Sequence, residues 1–358
     1  MLQDFDFSKI TEPLLAWYAG HARILPWREQ ITPYRVWVSE IMLQQTRVEA
    51  VKPYFERFMA ALPSIKDLAG CPEDRLLKLW EGLGYYNRVR NLQAAAREIM
   101  ETYHGELPAD YGKLLSLKGI GRYTAGAICS IAYGIPAPAV DGNVLRVIMR
   151  VCADDSDIMK QSVKNRVEQT LLPVIPPDRA AAFTQALMEL GATVCLPNGE
   201  PRCPECPWAS FCETKKQGIA DRLPRKSKTA KRRIEDHTVL LIRDGEKIVL
   251  QKRPPRGLLA GMYEFPHPRG RLTEKEALQA VRDLRLHPLH IRKLADARHI
   301  FSHVEWHMSG YMIRVDSLTR DSSDMLFVEL QDARAHYPIP SAFAAYTDYL
   351  FSAQQTED

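Results

Sequence analysis

No stretch of the chain approaches the ~20 consecutive apolar residues that a membrane-spanning helix needs, which excludes a helical membrane protein. The opening residues, Met1-Leu2-Gln3-Asp4-Phe5-Asp6, lack the basic-then-apolar order of a secretory signal. Internal repeats and low-complexity segments are absent, which argues against solenoids and fibrous arrays. A strong excess of one charge is absent too: 48 Lys and Arg stand against 44 Asp and Glu, a net +4 that only weakly suggests a polyanionic partner. What remains is an ordinary globular composition, 46% hydrophobic over 358 residues. That length predicts two or three domains of ~100–200 residues each. A soluble cytoplasmic protein is expected, with no membrane association.

Cysteine is scarce, and its seven copies do not form a disulfide framework. Cys71, Cys129 and Cys152 lie far apart, whereas Cys195, Cys203, Cys206 and Cys212 fall within eighteen residues. One tight group in an intracellular chain reads as a metal site. The spacing is Cys-x7-Cys-x2-Cys-x5-Cys. Structural zinc usually takes two short-spaced pairs separated by a longer loop. A compact run with a single x2 pair suits a cube-like [4Fe–4S] cluster wrapped by one loop better, with zinc as the alternative.

Up to residue 213 the chain reads as helical. Val48, Val51, Phe55, Phe58 and Leu62 recur at helical spacing, as do Val89, Leu92, Ala96 and Ile99, and no long alternating strand occurs. Leu114 to Ala127 places Gly119 and Gly121 between two apolar helical stretches, a tight turn suited to a close backbone approach. Such a turn opening a helix can offer backbone N–H groups to a phosphate, although an ordinary helical corner has the same pattern. From Lys215 to Asp236 the chain turns polar and basic: seven of the twelve residues Arg222–Arg233 are Lys or Arg, and none is acidic. This reads as a linker, either solvated or in contact with phosphate. Beyond it, His237–Arg243 and Ile248–Gln251 flank an Asp244-Gly245 turn, Thr273–Leu286 reads as a helix, Phe301–Val315 as a strand and Ser341–Phe351 as a final helix. The expected organisation is multidomain: an all-α domain over 1–213 with its cysteine loop at 195–212, a basic linker over 214–236, and an α+β domain over 237–358.

Several motifs occur in order: Ser39-Glu40-Ile41-Met42-Leu43-Gln44-Gln45-Thr46, Gly82-Leu83-Gly84-Tyr85-Tyr86, Gly119-Ile120-Gly121-Arg122-Tyr123-Thr124-Ala125-Gly126-Ala127, Val140-Asp141-Gly142-Asn143-Val144, and then the cysteine loop. With them the chain resembles the adenine DNA glycosylase (MutY) family of the helix–hairpin–helix superfamily, which also contains endonuclease III. The resemblance runs from about residue 7 to 350. It departs at two points. The first cysteine interval is x7 where the family usually has x6, and the hairpin carries Lys118 where proline is commoner.

The resemblance implies a base-excision hydrolase, a [4Fe–4S] cluster on the four cysteines, and a monomer acting on double-stranded DNA that carries adenine opposite 8-oxoguanine or guanine. It assigns Glu40 as the acid that protonates N7 of adenine and then serves as base towards water. Asp141 stabilises the oxocarbenium ion or adds to it transiently, oriented by Asn143. Two carboxylates in different environments are what such chemistry requires. Tyr123 stands where bifunctional relatives carry a Schiff-base lysine, so a monofunctional enzyme is implied. Arg23, Leu25, Trp27 and Arg28 fall at adenine-pocket positions, and Gln185 is a further substrate-binding candidate. Gln45, Thr46, Leu83 and Tyr85 fall at positions that enter the base stack or touch the orphan base, with Tyr85 as a flat wedge. Lys118, Gly119 and Gly121 belong to the phosphate-facing hairpin. Residues 237–351 resemble a MutT-like (Nudix) domain, with Leu258–Pro266 matching its strand and turn. Its metal-binding Arg-Glu-x-x-Glu-Glu helix is missing, since the corresponding stretch Ala280–Arg285 lacks the glutamates of that pattern. Phe301-Ser302-His303 would then inspect 8-oxoguanine. Two other readings stay open on the residues alone: a glycosylase with lyase activity, and a non-catalytic DNA-binding module carrying a structural metal.

Overall fold

The computed structural model describes residues 2–227, 231–319 and 325–351. The chain divides into two compact units, Met1–Gly70 with Asn87–Lys228 and Cys71–Tyr86 with Thr229–Asp358. Among the described residues no helix is long and apolar enough to cross a membrane.

The helical unit is organised by elements buried almost all round. Helix Pro33–Leu43 starts where the Thr32 side chain accepts the Arg35 N–H at 3.2 Å and Pro33 presets the first turn. It then buries Tyr34 and every residue from Val36 to Met42, Ser39 and Glu40 included. Helix Gly142–Val151 is capped by Asp141, whose carboxylate accepts the Val144 N–H at 2.7 Å, and it buries every residue from Val144 onward. Helices Val48–Ala61 and Asn87–Thr102 are amphipathic at the spacing read from the sequence, burying Val51, Phe55 and Phe58, and Val89, Leu92, Ala96 and Ile99. Helix Ala180–Thr193 lies so close to helix Gly142–Val151 that a Cβ on Gly191 would stand 2.7 Å from that of Asn143.

The hairpin joins helix Tyr111–Ser116 to helix Arg122–Ala127, which continues through a π-turn at Ile128–Ala132. Leu117 and Ile120 are buried and anchor the turn. Gly119 has φ +81°, and a Cβ there would strike the Asn91 Cβ at 2.7 Å, so backbone freedom and space both demand glycine.

The second unit is a mixed six-stranded sheet: β1 (Arg233–Asp244), β2 (Lys247–Lys252), β3 (Tyr263–Glu264), β4 (Pro288–Ile300), β5 (Val304–Val315) and β6 (Leu326–Glu329), in the order β3-β2-β1-β5-β4 with β6 also on β2. β1 and β5 run parallel, and the other pairs are antiparallel. The two-residue period of β1 sends Val239 and Leu241 into one core with Trp306, Phe343 and Tyr346, and Leu240 and Ile242 into the other with Ala277 and Val281. Helix Glu274–Asp283 thus covers one face and helix Ala344–Phe351 the other. A Thr273/Glu276 capping box starts the former.

The structure corrects the expected boundaries in three places. Cys71–Tyr86, read as part of the helical domain, belongs to the second unit: Asp74 meets Lys252 at 3.0 Å and the Tyr263 hydroxyl at 2.9 Å, Lys78 donates to the Tyr337 carbonyl at 3.1 Å, and Glu81 accepts the Ile339 N–H at 2.7 Å. The first half of the expected linker is folded onto the helical unit, with helix Glu213–Gln217, buried Thr214 and Leu223, and the carbonyls of Ala220 and Leu223 bonded to Arg150. At its far end Arg233–Asp236 already pair in β1. Residues 228–230 of that linker, and 320–324 and 352–358 of the expected second domain, lie outside the described residues. Finally, Phe301-Ser302-His303 is not the start of a strand but the turn between β4 and β5, closed by the Phe301 N–H on the Val304 carbonyl at 2.9 Å.

Candidate active site

A cavity of about 810 Å³ opens in the helical unit, within the usual size of a small-molecule site. Its walls come from the segment after helix Thr11–His21, from helices Pro33–Leu43 and Ala180–Thr193, from the hairpin and from the N-terminus of helix Gly142–Val151. Thirteen of the residues expected at the site line it: Arg23, Leu25, Trp27, Arg28, Glu40, Gln45, Thr46, Gly119, Gly121, Tyr123, Asp141, Asn143 and Gln185.

Glu40 is only 5% exposed, although it is charged in water. Burial pushes its carboxyl up to about 7; the Tyr123 hydrogen bond opposes the shift, and the neighbouring Asp141 adds to it. The Tyr123 hydroxyl donates to Glu40 Oε2. Burial drives that hydroxyl well above its ordinary range, so it remains a donor. Asp141 is raised by burial as well, but here three hydrogen bonds oppose the rise. Asn143 Nδ2 donates to Oδ2 at 2.8 Å and the Val144 N–H to Oδ1 at 2.7 Å. The helix N-terminus adds its positive end. Two carboxylates thus share one cavity in different surroundings, one solvated by a single phenol and the other by backbone and amide donors.

Sequence reasoning missed the groups that hold these residues. Glu189 is buried and bridges Arg23 (Nη2 to Oε2, 3.2 Å) and Arg28 (Nη2 to Oε2, 2.8 Å). Burial would raise Glu189, but the two guanidiniums outweigh it and hold it below the usual glutamate range. Arg88 donates to the carbonyls of Ile41, Met42 and Gln44 at 2.8, 3.0 and 2.5 Å, which satisfies the C-terminus of the Glu40 helix and fixes Gln45-Thr46. Arg146 joins the Asn143 side chain (2.9 Å) to the carbonyls of Gly191 (2.8 Å) and Cys195 (2.8 Å). A buried Glu or Arg leaves no local spacing pattern, so nothing in the sequence marks these residues.

Five expected residues lie elsewhere. Lys118 is exposed on the hairpin turn but does not line the cavity. Leu83 is buried at 6% exposure, whereas Tyr85 is 48% exposed with φ +48°. Of these two, only Tyr85 presents its side chain to the outside. Gln45 shares the left-handed backbone at φ +58°, and such strain in a non-glycine residue costs about 1–3 kcal/mol and concentrates at functional sites. Ser302 and His303 are exposed on the β4–β5 turn, and the Ser302 hydroxyl donates to the Tyr85 hydroxyl at 3.3 Å within the second unit.

The four clustered cysteines line one small cavity of about 40 Å³, together with Arg150. The loop is pinned by Trp208, whose indole donates to the Ile10 carbonyl at 3.0 Å. Among the described residues no three His, Cys, Asp or Glu side chains are arranged to hold a metal ion. Arg146 and Arg150 are each 5% exposed and, among the described residues, have no carboxylate within ion-pair distance. Arg150 Nη1 stands 3.4 Å from Cys195 Sγ. Buried cations call for compensating negative charge, and a set of four thiolates would supply it.

Fold and cavity define a helix–hairpin–helix DNA repair protein, and residues 38–173 match the family described as HhH-GPD superfamily base excision DNA repair protein. Residues 238–349 match the NUDIX domain. A solved thermostable thymine-DNA glycosylase superposes with a TM-score of 0.52 at 26% identity, covering 58% of this chain and 95% of its own. The adenine DNA glycosylase of Rattus norvegicus is 32% identical, with 96% of this chain and 79% of the relative covered. That of Buchnera aphidicola (Acyrthosiphon pisum strain) is 31% identical, with 84% and 85% covered. The chain belongs to the adenine DNA glycosylase family.

Proposed function

We propose that this enzyme removes adenine paired with 8-oxoguanine, and with guanine, from duplex DNA, acting as a monomer in the bacterial cytoplasm. The observation that carries this reading is the buried Glu40, raised to about 7 and held by a tyrosine beside the capped Asp141. Near neutral pH much of Glu40 keeps its proton, as a general acid must. With adenine flipped into the cavity, Glu40 gives that proton to N7, and the bond from N9 to the sugar C1′ breaks with its electron pair leaving on the base. The sugar becomes an oxocarbenium ion, which the Asp141 carboxylate stabilises or captures briefly at C1′. Water then adds at C1′, Glu40 accepts its proton, and an abasic site remains. Trp27 and Leu25 supply apolar wall, while Arg23, Arg28 and Gln185 offer donors to the base. Adenine release from A:8-oxoguanine, A:G and A:T duplexes in single turnover tests the reading. The expected order is 8-oxoguanine above guanine, with little release opposite thymine; no release from any duplex would overturn it.

Tyr123 has no amine, so no Schiff base forms at that position. Borohydride is expected to trap almost no protein on the DNA, and strand scission is expected only after alkali. Trapping as efficient as a lyase gives would refute the monofunctional assignment. Tyr123→Lys is expected to gain some trapping.

Cys195, Cys203, Cys206 and Cys212 would hold one [4Fe–4S] cluster, an assignment supported by four thiols around one cavity with the buried Arg150 beside them, 3.4 Å from Cys195 Sγ. Bound there, the cluster would brace the loop against the core that includes Trp208. About four irons per chain are expected. Stoichiometric zinc without iron would sink the assignment. Cys203→Ala is expected to lose iron and to weaken DNA binding or solubility.

A further inference from the structure

The basic segment expected as a linker has a use in the helical unit that its composition does not reveal. The stretch Ala220–Ser227 is strapped down at several points. Arg150 holds the carbonyls of Ala220 (2.9 Å) and Leu223 (2.8 Å), the Ile158 N–H donates to the Arg225 carbonyl at 3.1 Å, and the Ser227 N–H donates to the Asp157 carboxylate at 3.2 Å. Between the last two ties stands Lys226, exposed yet lining the catalytic cavity. Lys164, on helix Gln161–Leu171, lines the same cavity.

The other charges of the cavity are already committed. Glu189 carries Arg23 and Arg28, Asp141 accepts from Asn143 and Val144, and Glu40 accepts from Tyr123. Among the described residues neither Lys164 nor Lys226 has a carboxylate within ion-pair distance. Two uncompensated ammonium groups on the wall of a cavity built for a neutral base are misplaced for the base itself. They are well placed for anions that stay outside when the base goes in. An extruded nucleotide has a phosphate on each side of its sugar, and both must cross the rim of the cavity.

We propose that Lys164 and the strapped Lys226 form a clamp for the DNA backbone phosphates that flank the extruded adenosine, so that the basic segment is part of the DNA-binding surface of the catalytic unit. The proposal rests on the reading of the cavity as the adenine site. Lysine acts here as a point charge on phosphate, contributing affinity and position but no base preference. Removing either ammonium group is expected to weaken binding by ~3–10-fold at moderate salt and to lower the slope of log K against log salt by about one.

The test uses the full chain with its metal content intact and a duplex carrying a cleavage-resistant 2′-fluoro-adenosine opposite 8-oxoguanine. The two phosphates flanking that nucleotide are either native or replaced by neutral methylphosphonates. Wild type is expected to lose ~10-fold or more in affinity on neutralisation. Lys164→Ala/Lys226→Ala is expected to bind the native duplex about that much more weakly and to respond little to neutralisation. The Lys164→Arg/Lys226→Arg pair should restore the response, and Lys216→Ala, on the same basic segment but away from the cavity, should respond like wild type. If the alanine pair remains as sensitive to neutralisation as wild type, the two lysines do not touch those phosphates and the clamp is refuted. Adenine release by wild type from the ordinary A:8-oxoguanine duplex is measured alongside. Its absence would overturn the adenine reading itself, whereas release combined with unchanged sensitivity overturns the clamp alone.

Discussion

Glu40→Gln and Asp141→Asn are each expected to lower the single-turnover rate of adenine release by at least ~100-fold, the lower end for losing a positioned acid or base. Both substitutions keep the shape of the side chain. The first removes a transferable proton and the second removes a charge. Duplex binding should fall far less, because phosphate contacts dominate affinity. The wild-type rate should decline as pH rises through about 7, where Glu40 gives up the proton it must donate, and Glu40→Gln should lack this limb. Stability offers a second readout. The folded pKa of Glu40, about 7, lies above its ordinary 4.5. Its contribution is therefore complete below about 4.5 and is lost as pH rises through 7, since the folded state binds the extra proton across that window. Glutamine has no such dependence. The stability of Glu40→Gln relative to wild type should thus improve by about 2–3 kcal/mol between pH 4.5 and pH 8. A variant that excises adenine near the wild-type rate, with no change in relative stability over that range, would show that Glu40 is a peripheral carboxylate and that the acid lies elsewhere in the cavity.

The groups proposed as catalytic are legible in the sequence because they sit in short contiguous motifs. Ser39–Thr46, Gly119–Ala127 and Val140–Val144 each deliver one wall of the cavity, and their side chains meet because helices Pro33–Leu43 and Gly142–Val151 are both buried. Helix periods and the β1–β2 hairpin are legible for the same local reason. What stays hidden depends on contacts across long separations. Glu189 meets Arg23 from 166 residues away, and Arg150 reaches Leu223 across 73. Segment 71–86 falls inside the stretch read as the first domain, because only pairings such as Lys252–Asp74, 178 residues apart, assign it to the second. The basic segment misleads for a related reason. Composition shows its charge, but the backbone bonds that fold it onto the helical unit go to carbonyls and amides that every residue carries. Strand β4 escapes a sequence reading because its burial alternates weakly, with Leu294 its one fully buried residue.

Ser302→Ala/His303→Ala is expected to reduce the preference for 8-oxoguanine over guanine opposite adenine by about 10-fold or more, the scale of losing polar contacts to one base. Release from the A:G duplex should change little. The motivation is geometric. Ser302 and His303 are exposed at the tip of the β4–β5 turn, braced by Phe301, whose ring stands 4.9 Å edge-on to the buried Trp306. The Ser302 hydroxyl also touches that of Tyr85, the half-exposed aromatic held at positive φ. On the proposed roles, the Ser302–His303 reader and the Tyr85 wedge, which share one hydrogen bond, would address one nucleotide, the base left opposite the extruded adenine. Point variants serve this test better than removal of residues 237–358. Truncation would remove the bonds of Asp74, Lys78 and Glu81 to Lys252, Tyr337 and Ile339 and leave segment 71–86, with Tyr85 on it, without the surface it folds against. Truncation therefore confounds loss of the reader with displacement of the wedge, whereas the double variant removes polar contacts and leaves Phe301 and Tyr85 in place. Tyr85→Ala distinguishes the two roles further: it should slow release from A:G and A:8-oxoguanine duplexes alike, because a wedge supports extrusion of the adenine whatever lies opposite. If the Ser302/His303 variant keeps the full wild-type ratio of 8-oxoguanine to guanine rates, the β4–β5 turn does not read the opposing base and the discrimination resides in the catalytic unit.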